Sequence, residues 1–258
     1  MAIFMKVVLQ VIGLITFYLL IKPGSLRPWF VFLIFPAVVS SVICSQYFLG
    51  ILIANFFLSI TNRKIEAIIK QIEFNRVISV KTFEEHFDNI SVVHTQIFRM
   101  IKDLSSFFGY QILISIFNNF LGIATTGFQI FSMLLMQFHY NQKFWSYNQL
   151  IIAGFFSMAF LAFDVIFHFS ACTKCTETDD KIVVNLVKLN QSFSTNSILK
   201  ERIKCLILQL KEERIVVKVA NNFTLAYPFF LDMISSMFGY FIVLIQFQLN
   251  DLGTYSEK

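Results

Sequence analysis

The chain has 258 residues, of which 56% are hydrophobic and only 14% are charged, and its mean hydropathy is +0.67. Since a soluble domain has about a quarter charged residues and could not bury so much apolar surface in one core, this composition excludes one. The net charge of +5 comes from Lys and Arg spread between apolar segments. This pattern is typical of topogenic charge beside membrane helices and argues against nucleic acid as a partner.

Five apolar stretches reach the length of about 20 residues that a helix needs to cross the hydrocarbon layer. In chain order they cover about residues 2–21, 29–60, 107–138, 147–169 and 223–247. No small-residue cleavage site follows the first stretch, so we interpret it as a retained span and not as a signal peptide. We predict an all-α, polytopic transmembrane helical bundle that forms a single domain over residues 1–258.

Two long segments between the spans, 61–106 and 171–220, carry apolar residues at helical spacing among charges of both signs. We expect the first to continue the helix of the second span. In the other segment, Ser197 is placed to cap a helix that runs through Leu206, Leu210, Ile215 and Val219. The two segments are predicted to pack together as one helical unit.

Orientation follows from the positive-inside rule. Seventeen Lys and Arg residues lie in the two long segments and near the N-terminus, and four lie on the opposite side. The N-terminus and both long segments are therefore predicted to be cytosolic and the C-terminus extracellular, in a multi-pass protein of the plasma membrane. The glycosylation sequons at Asn89, Asn190 and Asn222 would then stay unmodified.

Apart from Lys6 in the first predicted span, three residues inside the predicted spans are candidates for intramembrane polar contacts. Asp164 and His168 lie one helical turn apart in the fourth span, and Asp232 lies early in the fifth. Such residues are functional candidates. Near the end of a span, however, they often only form hydrogen bonds with neighbouring helices, and we give that structural interpretation more weight.

Metal or enzyme chemistry finds little support. Cys172 and Cys175 have CxxC spacing, but no second Cys or His pair lies nearby, so we expect no metal. No GxSxG, HExxH or glycine-rich phosphate loop is present. We expect neither an enzyme nor a cofactor.

The last span contains two polar side chains in a lipophilic run, Tyr240 and Gln246. Helical spacing places Tyr240, Val243, Gln246 and Phe247 on one stripe. A buried amide is costly in lipid, so Gln246 should face water or another helix. An amide that reaches the membrane interface is an equally good interpretation.

These residues resemble the signature of the insect gustatory receptor family. The family's last span ends in Thr-Tyr, five apolar residues and Gln-Phe, and this chain has Gly239-Tyr240, five apolar residues and Gln246-Phe247. Only Gly239, which stands in place of the Thr, departs from the pattern. Three further segments resemble family elements: Phe223 to Asp232, Gln209-Leu210 and Phe108-Gly109-Tyr110-Gln111.

The resemblance implies a tetrameric, non-selective cation channel that an external small-molecule tastant opens. It implies that the last helix of each subunit lines a central pore and that the cytosolic helices hold the subunits together in a homo- or heterotetramer with related receptors. By position, Val243 and Phe247 are expected to form hydrophobic constrictions, and Gln246 a polar ring beside them. Phe241 stands where sugar receptors typically carry an acidic residue, so a sugar is a less favoured tastant.

Family members have seven spans, and the five predicted here resemble the third to the seventh. The first two are expected to be missing, through a truncated gene model or a short isoform. The alternatives are a subunit of the related odorant receptor type and a non-conducting accessory membrane protein.

Overall fold

The computed structural model describes residues 27–73, 80–140, 145–192, 197–220 and 222–256. The elements in chain order are helices α1 (Arg27–Glu73), α2 (Val80–Tyr140), α3 (Trp145–Ser192) and α4 (Ser197–Glu212), strands β1 (Lys218–Val219) and β2 (Phe223–Thr224), and helix α5 (Tyr227–Ser256). The predicted fold class, an all-α membrane helical bundle, is confirmed.

Four of these helices, α1, α2, α3 and α5, are long and apolar enough to cross a membrane. With 47, 61 and 48 residues, α1, α2 and α3 extend roughly 70 to 90 Å, well beyond a hydrocarbon layer of about 30 Å. The prediction that helix continues past the second span is confirmed as far as Glu73. The first predicted span, residues 2–21, lies outside the described residues.

The described residues form two compact units. Unit 1 takes its described residues from Met1–Ser45, Gln111–Phe169 and Tyr227–Lys258, and unit 2 from Gln46–Tyr110 and Ser170–Ala226. Helices α1, α2 and α3 contribute to both units, so the division does not follow a linker. The single domain predicted from the sequence remains a prediction.

Unit 2 contains most of the large side chains that are fully buried. Tyr47, Phe48, Ile51 and Leu58 recur at helical spacing along α1, and α3 and α4 add the residues Ile182, Leu186, Leu189 and Ile203. The apolar positions of segment 61–106 also point inward, as the amphipathic pattern predicts, with Ile65, Ile68, Ile90, Ile97 and Ile101 buried. The apolar face of each helix therefore has a partner within this unit.

The helix predicted from Ser197 to Val219 is too long, because α4 ends at Glu212. Burial alternates beyond it, with Ile215, Val217 and Val219 buried and Lys218 exposed, which is the two-residue period of an extended chain. The spacing of Ile215 and Val219 fits both a helix and a strand, and Val217 decides between them.

The fifth span begins later than its predicted start at Phe223. Phe223 and Thr224 belong to β2, which pairs antiparallel with β1. Helix α5 begins at Tyr227, followed by Pro228, a residue that the first turn of a helix tolerates well.

The turn of this hairpin lies close to α2. Ala220 has a positive φ of 49°. A Cβ atom built on Gly109 would lie 2.7 Å from the backbone nitrogen of Ala220, closer than real Cβ atoms approach other atoms. A residue without a side chain is therefore required at position 109, within the Phe108-Gly109-Tyr110-Gln111 segment.

We expect Gly109→Ala to destabilise the protein by about 1–3 kcal/mol, because the methyl group would displace the hairpin backbone. Thermal unfolding of the purified chain in detergent measures the effect as a lower melting temperature. Gly127→Ala is the matched control, since its Cβ would lie 3.5 Å from the nearest atom of Phe241, an ordinary contact. Equal melting temperatures for both variants would show that the hairpin moves aside freely.

Candidate functional site

Helix α5 has one face that packs on α2 and α3 within unit 1. Near its beginning, the rings of Phe229 and Phe230 lie 6.1 and 5.2 Å from the ring of Phe169, and Phe230 also lies 6.2 Å from Phe120. These tilted rings are at distances typical of favourable aromatic pairs.

The same face continues toward the end of α5. The ring of Phe241 lies 6.4 Å from that of Phe131. Ser132 Oγ donates a hydrogen bond of 2.8 Å to Gln248 Oε1. Phe230, Phe241 and Gln248 are 11 and 7 residues apart, close to whole numbers of helical turns, so they share one face.

The opposite face of α5 carries a line of exposed residues that we term the polar stripe: Asp232, Ser236, Gly239, Val243, Gln246 and Asn250. Successive members are alternately four and three residues apart, which is the spacing of a seam between packed helices. Four of the six residues have polar side chains, in a helix long and apolar enough to span a membrane. No residue of Tyr227–Asn250 is buried within the described chain.

The structure places each residue predicted for the last span. Val243 and Gln246 belong to the polar stripe, and Tyr240 and Phe247 flank it with 72% and 68% of their surfaces exposed. A Cβ on Gly239 would meet no atom of the described part of the chain within 4 Å. Asp232, considered separately in the sequence, lies on the same stripe. Sequence reasoning missed Ser236 and Asn250, although the alternating spacing from Gln246 could have indicated both.

Asp164 and His168 are not on this stripe but in a second polar cluster, inside unit 1. His168 Nε2 lies 3.5 Å from Asp164 Oδ1, and Asn119 Nδ2 of α2 donates a 3.0 Å hydrogen bond to Asp164 Oδ2. Asp164 and His168 are both buried. Asn119 was missed as the partner, although it is one of two adjacent amides in the apolar run of α2. The cluster joins two membrane helices by polar contacts.

The other candidate ligands give no metal site in the part of the chain that the structure describes. Cys172 and Cys175 are free, buried thiols. No group of three or more His, Cys, Asp or Glu side chains among the described residues could hold an ion.

We expect Asp164→Ala to destabilise the protein by about 1–3 kcal/mol, because the Asn119 amide would lose its acceptor in a partly buried place. Asp164→Asn keeps an acceptor and should lose less. Thermal unfolding in detergent checks this order, with Asp103→Ala, at an exposed position, as the control. A melting temperature for Asp164→Ala equal to that of the control would contradict a structural role.

Two comparisons with known proteins are informative. A family model described as 7tm chemosensory receptor matches residues 2–251. A search of curated proteins finds no match.

Proposed function

The chain belongs to the 7tm chemosensory receptor family, since the family model covers nearly all of it, and we propose that it is a gustatory-type subunit of a ligand-gated, non-selective cation channel. It is a multi-pass membrane protein with four described membrane helices. In this proposal an external small-molecule tastant opens a pore surrounded by copies of α5.

The polar stripe is the observation that supports the proposal. A charged group at the centre of a bilayer costs about 2.5–3.5 kcal/mol on insertion scales, and unpartnered amides are also unfavourable in lipid. Asp232 and Gln246 are both exposed on the face of α5 opposite its packing contacts. A water-filled path between several copies of the chain would hydrate both.

The spacing along the stripe also favours assembly through α5. Alternating intervals of four and three residues keep one line of side chains facing a common axis when helices pack with a slight left-handed twist. The four subunits in the proposal come from the family resemblance. The helix alone supports association but does not set the number of copies.

A gate follows from the order of side chains along α5. Val243 and Phe247 are one helical turn apart, and both are exposed. Repeated around an axis, they would form apolar rings, and such rings stop ions by excluding water. Gln246 would add a ring of amides between them. Opening then requires these rings to widen or rotate.

The first test is the reactivity of cysteines introduced on the stripe. The parent chain should carry Cys205→Ser, since Cys205 is the exposed cysteine and Cys44, Cys172 and Cys175 are buried. In that background we expect Gln246→Cys and Val243→Cys to react with a charged, impermeant methanethiosulfonate, because thiolates form in water and not in lipid.

The control for this test is Phe156→Cys, at a residue of α3 with 74% of its surface exposed. The two stripe cysteines should react about tenfold faster than this one in protein reconstituted into vesicles. Equal, slow reaction at all three positions would place Gln246 in lipid and remove the basis of the pore.

The gate has its own test. Val243→Trp should reduce the basal sodium flux of the reconstituted channel several-fold, because the indole would narrow the apolar ring. Phe156→Trp is the matched control and should leave the flux unchanged. Assembled parent protein that carries no flux, with or without tastants, would favour the non-conducting accessory protein instead.

The proposed membrane topology is tested by glycosylation. With both long segments cytosolic, Asn89, Asn190 and Asn222 should stay unmodified in cells, so a glycosidase would not change the mobility of the protein on a gel. A sequon on an extension after Lys258, at the proposed extracellular C-terminus, should be modified and serves as the positive control. Modification of the native sequons instead would reverse the topology.

A further inference from the structure

A cluster of polar side chains in unit 2 surrounds the chain that leaves α4. We term it the anchor cluster: Ser91, His94 and Thr95 of α2, Asp179 and Asp180 of α3, and Gln209, Glu213, Arg214 and Ile215 at and after the end of α4. Its members are far apart in the sequence and meet only in the folded chain. The cluster lies outside the polar stripe and outside the Asp164 contacts.

Asp179 is the centre of this cluster and is fully buried, with no exposed surface. Its Oδ1 lies 2.7 Å from His94 Nε2, which is also fully buried. Its Oδ2 accepts a 2.9 Å hydrogen bond from the backbone nitrogen of Ile215. The carboxyl group of Asp179 therefore connects His94 of α2 to the chain that follows α4.

Neighbouring contacts attach the end of α4 to α2. Ser91 Oγ donates to Gln209 Oε1 at 2.8 Å, and Gln209 Nε2 donates to Thr95 Oγ1 at 3.1 Å. Thr95 Oγ1 in turn donates to Glu213 Oε2 at 2.8 Å. These bonds continue along one side of α4 to the residue after its end.

Asp180, the next residue of α3, makes a contact of a different kind. It binds Arg214 through two hydrogen bonds of 3.1 and 2.9 Å, and both side chains are about half exposed. Exposed ion pairs contribute little to stability. Removal of a buried carboxylate, by contrast, leaves the donors that it bound without an acceptor. Two consecutive aspartates therefore hold consecutive residues, Arg214 and Ile215, with very different strength.

The residues held by Asp179 lead directly into α5. Ile215, Val217 and Val219 are buried, Leu225 N donates to Val217 O at 3.0 Å, and α5 begins at Tyr227. Movement of the first turn of α5 must either pull on this segment or be absorbed by it. A buried hydrogen bond to its backbone restrains such movement.

We propose that Asp179, held by His94, is a positioning residue that fixes the connection before α5 and thereby keeps the pore closed at rest. The inference rests on the proposed function, since it assigns Asp179 to the regulation of that pore. Loss of the hydrogen bond to Ile215 releases the start of α5. The fraction of channels that are open without a tastant then rises.

The test compares Asp179→Ala with Asp180→Ala, a control that truncates the adjacent residue on the same helix. Hydrogen exchange of the purified full chain measures the freedom of residues 213–226. Basal sodium flux into vesicles, with no tastant added, measures the pore. Asp179→Ala should raise exchange in this segment about tenfold and raise the flux several-fold, while Asp180→Ala should change each by less than about twofold.

Asp179→Asn distinguishes positioning from general stability. Its amide oxygen can still accept from Ile215 N, so flux and exchange should lie between those of the parent and of Asp179→Ala. It is also the deciding variant if Asp179→Ala fails to assemble, and flux equal to the parent together with faster exchange would then contradict the proposal.

The remaining outcomes separate the two proposals. Faster exchange in Asp179→Ala with unchanged flux through a conducting parent would overturn the anchoring role and leave the pore intact. Equal exchange in the two alanine variants would overturn it as well. A parent without flux, together with slow reaction of the Gln246→Cys variant, would overturn the pore and, with it, the role of Asp179 in regulation.

Discussion

A polar side chain on a membrane helix must contact water or another polar group, and this constraint governs the polar residues of the membrane helices in this protein. Inside unit 1 the chain meets this constraint, because Asp164 accepts a hydrogen bond from the Asn119 amide. On α5 the described chain leaves Asp232 and Gln246 exposed on one face. These two side chains of α5 therefore need water or another chain as their partner, whereas Asp164 has a partner within its own chain.

The sequence predicts the large features well because the bilayer imposes them. The fold class and the helical extension past the second span both follow from hydropathy and helical periodicity. Local pattern fails after α4, where Ile215 and Val219 fit two periods, and the hairpin partner that selects the extended form lies beyond them. His94, Asp179 and Ile215 could not be connected in advance, because their contacts join three distant parts of the chain.

The resemblance to gustatory receptors gains a physical explanation at one of its motifs. Gly109, in the segment Phe108-Gly109-Tyr110-Gln111, is required by the close approach of the hairpin at Ala220. That hairpin immediately precedes α5. A glycine in one helix is therefore linked to the geometry of the chain leading into another, which similarity of sequence alone does not reveal.

Gly239 departs from the Thr that the resemblance leads one to expect, and the structure gives this departure a consequence. A Cβ atom at this position would meet no atom of the described residues within 4 Å, so both glycine and threonine are compatible with the described fold of one subunit. Only a neighbour packed against the polar stripe would contact the larger side chain. In the proposed assembly, a glycine or a threonine at position 239 would therefore change the surface that one chain presents to the next, while the contacts within each described chain stay the same.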